Sequence, residues 1–212
     1  MAAPFVRKAS RAQRIADHLL FPLNMWLSED ASHRLGLTPI DHERVRAVLP
    51  HCRGRLLDLA CGNNLLVRNY GFGIGVDIHH YAAIDARCDS ALLPFKNDVF
   101  DSVAMLACLN HIIRRAETLA ECRRVLRPGG RLLVTMIHPL VGFFSHPIRR
   151  AHDPDQLERG MARDEAKGLT TKNVLRLITD SGFRPVVHQR FLWGLNNLYI
   201  AEKSGQSAVG SR

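Results

Sequence analysis

Residues 55–66, Arg-Leu-Leu-Asp-Leu-Ala-Cys-Gly-Asn-Asn-Leu-Leu, constrain the fold of this chain more than any other stretch. Leu56, Leu57 and Leu59 make an apolar, strand-like run with Asp58 near its end. Ala60, Cys61 and Gly62 follow as small residues, and Asn63 and Asn64 offer cap chemistry for a helix beginning at Leu65. A strand, a tight turn and a helix start together form a cleft where backbone can approach a ligand closely. Unbonded N–H groups at the helix start then meet the ligand's polar end. Ile74-Gly-Val-Asp77 reads as a second apolar strand closed by a carboxylate, 19 residues after Asp58. That spacing is close to the roughly 20 residues separating a glycine turn from a ribose-binding acid in nucleotide-binding βαβ units. An acid there can accept both hydroxyls of an adenosine ribose.

The segment Asp58-Leu-Ala-Cys-Gly-Asn-Asn64 resembles the first motif of the class I S-adenosylmethionine-dependent methyltransferases. Three later stretches resemble the same family in the same order: Asp89-Ser-Ala-Leu-Leu-Pro-Phe95, Phe100-Asp-Ser-Val103 running on to Leu109-Asn-His-Ile112, and Glu121-Cys-Arg-Arg-Val-Leu-Arg-Pro-Gly-Gly-Arg-Leu-Leu-Val134. The resemblance covers residues 40–202 and is strongest to the type 11 branch. It implies an α/β, Rossmann-like class I methyltransferase fold: a mostly parallel seven-stranded sheet with helices on both faces. It also implies S-adenosyl-L-methionine as cofactor. On that resemblance Asp58, Ala60 and Gly62 belong at the cofactor's methionine end, Asn64 is a further cofactor-binding candidate, and Asp77 belongs at the ribose. Asp89 belongs near the adenine amino group, with the Ser90 backbone against the ring. Leu106 and Leu109 line the cofactor, although core packing alone accounts for both.

His111 falls beside the expected methyl group. There it is a candidate general base, or a residue that caps the following helix or packs on the cofactor. His138, at the end of the next strand, is a second catalytic candidate. The residue types suggest no metal site: there is no Cys-x-x-Cys pair and no carboxylate cluster.

Two departures from the family pattern stand out. Only His79 to Ala86 separates Asp77 from the segment leading to Asp89, too few residues for a strand and an ordinary helix. The helix between the second and third strands is therefore expected to be absent or reduced to a turn. That leaves the adenine edge open, or covered by Ile78, His79 and Tyr81. Asn64 is the other departure, standing where a third glycine is usual; asparagine is the side chain that best tolerates positive φ.

The remaining elements follow from apolar periodicity. Residues 1–40 are expected to be a helical lid or appendage, with Ser10 as a cap and Pro22 interrupting the helix. Phe5 to Leu27 is basic and then apolar, so a membrane-surface helix is the alternative to a lid. Residues 41–203 form the main domain. It comprises a helix capped by Asp41, a helix from Leu65 to Tyr70 and a buried strand from Asp101 to Leu109. A helix follows from Glu117 to Leu126, then a Pro128-Gly129-Gly130 turn and a strand from Arg131 to Ile137. Residues 140–168 read as a substrate-side insertion. Thr171 is expected to cap a helix ended by Gly182, followed by two strands around Trp193-Gly-Leu-Asn-Asn197. Residues 204–212 read as a disordered tail.

A formal charge of +9 suits an anionic partner. Five cysteines, mostly within apolar segments, read as reduced thiols in a cytoplasm, with peripheral membrane association through the basic N-terminus as the variant of that reading. No apolar run approaches the roughly 18 residues of a transmembrane helix, and no signal-peptide core is seen at the N-terminus. The predicted reaction is in-line methyl transfer to a small molecule, first of all to an oxygen on a sugar, lipid-linked or other biosynthetic intermediate. An anionic group on it would meet the basic insertion. Two readings compete: an RNA methyltransferase, less favoured because no RNA-binding module is appended, and a non-catalytic relative acting as an assembly partner.

Overall fold

A computed structural model of the protein describes residues 10–24, 27, 29–137 and 169–204. Its centre is β1 (Leu56–Leu59), buried at every position as an interior parallel strand must be. β1 lies between β2 (Gly73–Asp77) and β4 (Phe100–Leu106), with Leu57 opposite both Ile74 and Val103. The two-residue β3 (Ala86–Arg87) extends the sheet beyond β2. β5 (Leu126–Ile137), β7 (Asn196–Lys203) and β6 (Phe183–Phe191) complete the other side. The order is β3-β2-β1-β4-β5-β7-β6, parallel except where β7 runs antiparallel to β5 and β6. This seven-stranded order is that of the class I methyltransferase fold.

Alternation along the strands divides the core between two faces. Leu57, Leu59, Val103, Met105, Leu132 and Val134 pack against α5 (Arg115–Val125) and α6 (Thr171–Asp180) through Leu119, Cys122, Val174 and Ile178. Leu56, Ala104, Leu133 and Ile200 face α3 (Ile40–Val48) and α4 (Leu65–Tyr70) through Val45, Val48, Leu66 and Val67. Ahead of them come α1 (Arg11–Asn24) and the short α2 (Glu29–Arg34).

No helix lies between β2 and β3, as the short spacing predicts. Several boundaries differ from the sequence reading. α1 continues through Pro22, because the carbonyl that Pro22 leaves unbonded, His18 O, accepts from Trp193 Nε1 at 2.6 Å. Ser10 does cap α1, accepting from Gln13 N at 3.1 Å. α3 starts one residue earlier than expected, with Pro39 at its N-cap, so Asp41 lies in the first turn and pairs with Arg44 instead. β4 stops at Leu106, where Ala107 turns to φ 54°. Pro128-Gly129-Gly130 is not a separate turn; it is a register-shifted part of β5 that starts by pairing Leu126 with Phe100. The cap of α6 is Thr170, whose hydroxyl accepts from Asn173 N. Asn196 and Asn197 are buried strand residues of β7, not turn residues. His138, the 140–168 insertion, residues 1–9 and the tail from residue 205 lie outside the described residues.

Candidate functional site

The turn after β1 carries the geometry of a glycine loop with only one glycine in it. Ala60, Gly62 and Asn64 have φ of 53°, 51° and 56°, alternating left-handed positions. For Ala60 that conformation costs about 1–2 kcal/mol, which the surrounding bonds outweigh. Cys61 N donates to Val76 O at 3.1 Å, and Asn64 N donates to Cys61 O at 2.8 Å. The space in front of Gly62 is open: a Cβ there would meet no atom within 4 Å. Backbone at this point is therefore accessible to a ligand.

Two carboxyl groups flank the turn. Asp77 is buried at the end of β2; its Oδ2 accepts from Gly62 N at 3.0 Å and its Oδ1 from His79 N at 2.9 Å. Each oxygen keeps a further lone pair for a hydroxyl donor. Asp58 is only 3% exposed, and among the described residues nothing hydrogen-bonds its Oδ1. Burial first, and then the charge of Asp77, push its carboxyl well above the usual carboxylate range. A buried, unpartnered carboxyl oxygen is costly unless a donor or cation meets it. The ammonium of the methionine end of S-adenosylmethionine is such a group. Orphaned Asp58, open Gly62 and buried Asp77 are a set that this cofactor would fit. Burial pushes the thiols of Cys61 and Cys108 beside them up, with the charge of Asp58 adding to both, which favours the protonated form.

Asn64 occupies the N-cap position of α4 but makes no side-chain cap bond. Its Nδ2 donates to Ala83 O at 2.9 Å and to Asp85 Oδ2 at 3.0 Å. Asp85 Oδ2 also accepts from Gly75 N at 2.7 Å. The cap reading is therefore corrected: the carboxamide ties down the connection between β2 and β3, while the backbone N–H and C=O of Asn64 bond Cys61 O and Arg68 N. Asp85 and Gly75 were not singled out from the sequence. The only sequence signal for them was the shortness of that connection.

The remaining site candidates lie farther along the carboxyl ends of the strands. Asp89 follows β3; its Oδ1 accepts from Ala91 N at 2.8 Å and its Oδ2 pairs with Arg114, a partner that sequence reasoning missed. The Ser90 hydroxyl is 3.1 Å from Thr118 Oγ1, which pins its loop to α5. Ile78 is half exposed, as expected of a residue at an uncovered edge. Leu106 is partly buried, while Leu109 is fully buried in the core. His111 lies in the turn after β4, its N donating to Cys108 O at 2.8 Å and its Nε2 3.0 Å from Asn110 Nδ2. It does not cap α5, whose N-cap is Arg114. The Arg115 guanidinium holds the same turn through Leu109 O and Asn110 O. Asn196 Oδ1 accepts from Arg44 Nε at 3.4 Å, and Asn197 Oδ1 is 2.9 Å from His188 Nε2. No cluster able to hold a metal occurs among the described residues.

Comparison with known proteins places this geometry. Residues 57–134 match the family model described as a methyltransferase domain, Methyltransf_11. The ubiquinone/menaquinone biosynthesis C-methyltransferase UbiE of Geobacter sulfurreducens is 26% identical over 138 residues, 56% of this chain and 50% of that protein. UbiE of Bordetella avium is 47% identical over 49 residues, 23% of this chain and 19% of that protein. The chain thus spans half or less of the length of these curated relatives. Among solved structures, a methyltransferase from Thermotoga maritima superposes with a TM-score of 0.60 at 15% identity, covering 91% of this chain and 98% of that one. One from Mesorhizobium loti gives 0.57 at 19% identity over 76% and 97%. These likenesses are to the fold.

Proposed function

We propose that this chain, whose residues 57–134 match a methyltransferase-domain family model and whose fold is that of the class I S-adenosylmethionine-dependent methyltransferases, transfers a methyl group from that cofactor to a small-molecule acceptor. The observation that carries this reading is the turn at Gly62, open in front and flanked by Asp77 and the orphaned Asp58. Asp58 would hold the methionine ammonium, the small residues Ala60 and Gly62 would let that end of the cofactor lie close to the backbone, and Asp77 would accept from the ribose hydroxyls. S-adenosylmethionine would supply a methyl already activated by its sulfonium. The chain's own contribution is then alignment, from which well-oriented systems recover roughly 7–11 kcal/mol of barrier. Neither His111 nor any other described side chain is required as a base in this reading.

An oxygen on a sugar, lipid-linked or other biosynthetic intermediate is the first acceptor. A carbon is the second, favoured by the C-methyltransferase names of the curated relatives. Calorimetric titration with S-adenosylmethionine and S-adenosylhomocysteine tests the cofactor site. Wild type should bind both, and Asp77→Ala should bind about ten- to a hundredfold more weakly, from the loss of charge-assisted hydrogen bonds worth about 1.5–3 kcal/mol. Folded wild type that binds neither ligand overturns the reading. With binding in hand, carbon-13 methyl transfer distinguishes an oxygen-bound from a carbon-bound product by chemical shift.

A further inference from the structure

Surface helices normally turn their apolar stripe inward, and α1 does the reverse. Its inward positions are Gln13, Asp17, Phe21 and Asn24. Asp17 accepts from Thr38 N at 2.9 Å, Thr38 Oγ1 at 2.6 Å and Gln13 Nε2 at 2.9 Å. Asn24 donates to Thr38 O and accepts from Ser32 Oγ, both at 2.6 Å. These bonds fix the rotation of the helix, so its other side stays outward. That side carries Ile15 (61% exposed), Leu19 (64%), Leu20 (45%) and Leu23 (52%). Ile15, Leu19 and Leu23 recur every four residues and form one stripe. Arg11, Arg14 and His18 run along its flank, all exposed.

The turn between β6 and β7 brings a further apolar group to the same place. Leu192 and Trp193 are held at φ of 49° and 60°, a conformation costly for large side chains. The result is that Trp193, 54% exposed, lies with its ring 5.5 Å from the His18 ring, tilted by 36°, while its N–H bonds the backbone of α1. This turn follows the pairing of Asn196 with Ile137, so it stands at the carboxyl edge of the sheet, where Asp58 and Asp77 also lie.

We infer that the outward face of α1, with Trp193 beside it, docks the protein on an anionic lipid bilayer. An apolar stripe flanked by arginines is the pattern of a helix lying in the membrane plane, and an exposed tryptophan suits the headgroup level. Charge selects the occupant. A second copy would bring the same positive flank on a chain of net charge +9, whereas anionic headgroups complement it. No helix among the described residues is long and apolar enough to cross a membrane, so the contact is with one surface.

Flotation of the full chain with vesicles tests this, independently of any methyl transfer. Wild type should float with vesicles of equimolar phosphatidylglycerol and phosphatidylcholine, less with phosphatidylcholine alone, and less as salt rises. Leu19→Asn/Leu23→Asn and Arg11→Glu/Arg14→Glu should each weaken binding by at least about tenfold. All four positions are exposed, so both variants should keep the wild-type thermal midpoint. The inference is overturned if wild type stays in the lipid-free fraction. It is equally overturned if both variants float as wild type does, or if wild type self-associates through this face and Leu19→Asn/Leu23→Asn abolishes that association.

Discussion

The Asn64 carboxamide fills the space that a side chain at Gly75 would need. Its Nδ2 at the same time closes the helix-less connection onto Ala83 and Asp85. The two departures from the family pattern are therefore one arrangement: the residue that replaces a glycine also replaces the missing helix as the tie. Gly75→Ala should destabilise the protein by about 1–3 kcal/mol through overpacking. Asn64→Gly should lose about 1 kcal/mol for each amide bond. Combined, they should cost less than their sum, since the clash disappears with the carboxamide. Urea unfolding of the four proteins measures this coupling, and strict additivity would contradict it.

Ala60 pays a left-handed cost that glycine does not. Ala60→Gly should relieve about 1–2 kcal/mol of strain, less the 0.4–1 kcal/mol by which glycine favours the unfolded chain. A small rise in thermal midpoint is expected, with cofactor affinity unchanged; a fall would show that the methyl group is packed, not merely tolerated.

Asp58 gives the protein a pH dependence of definite sign. Its folded pKa is raised by burial and by Asp77, so the folded state holds this proton more tightly than the unfolded chain does. Its contribution to stability is thus lost as pH rises from the ordinary carboxylate range towards the raised value. Asp58→Asn should flatten that loss and stabilise the ligand-free protein at neutral pH. A bound ammonium favours the ionised form, so S-adenosylmethionine should bind more tightly as pH rises over the same window, with release of a proton. Calorimetry in two buffers of unlike ionisation enthalpy counts that proton. Asp58→Asn should release none.

Trp193→Phe removes the donor to His18 O and leaves that carbonyl with neither a helical nor an indole partner. A loss of about 1 kcal/mol is expected. Hydrogen exchange should localise it to α1, with the amides of β4 and β5 unaffected.

Much of the fold was legible because it rests on local pattern. The buried runs at Leu56–Leu59 and Val103–Met105 can only be interior strands, and the count of residues after Asp77 ruled out a helix. What escaped depends on partners distant in sequence. Pro22 stops a helix unless something replaces the missing N–H, and the replacement comes from Trp193. Asn196 and Asn197 look like turn residues until Arg44 and His188 bond them inside the sheet. The Arg114 pairing with Asp89 crosses from one strand end to another, beyond the reach of spacing arguments. At the site itself, Asp58, Gly62 and Asp77 come together because β1 and β2 are adjacent parallel strands and the turn after β1 bonds Asp77 through Gly62 N.

The bond between Trp193 and His18 spans 175 residues, and this has a consequence in time. At about 5–20 residues per second of synthesis, α1 leaves the ribosome on the order of ten to thirty-five seconds before the indole that fastens it exists. A helix made well before its fastening is fixed late, and for that interval its leucines are free to find a surface before Trp193 has been made.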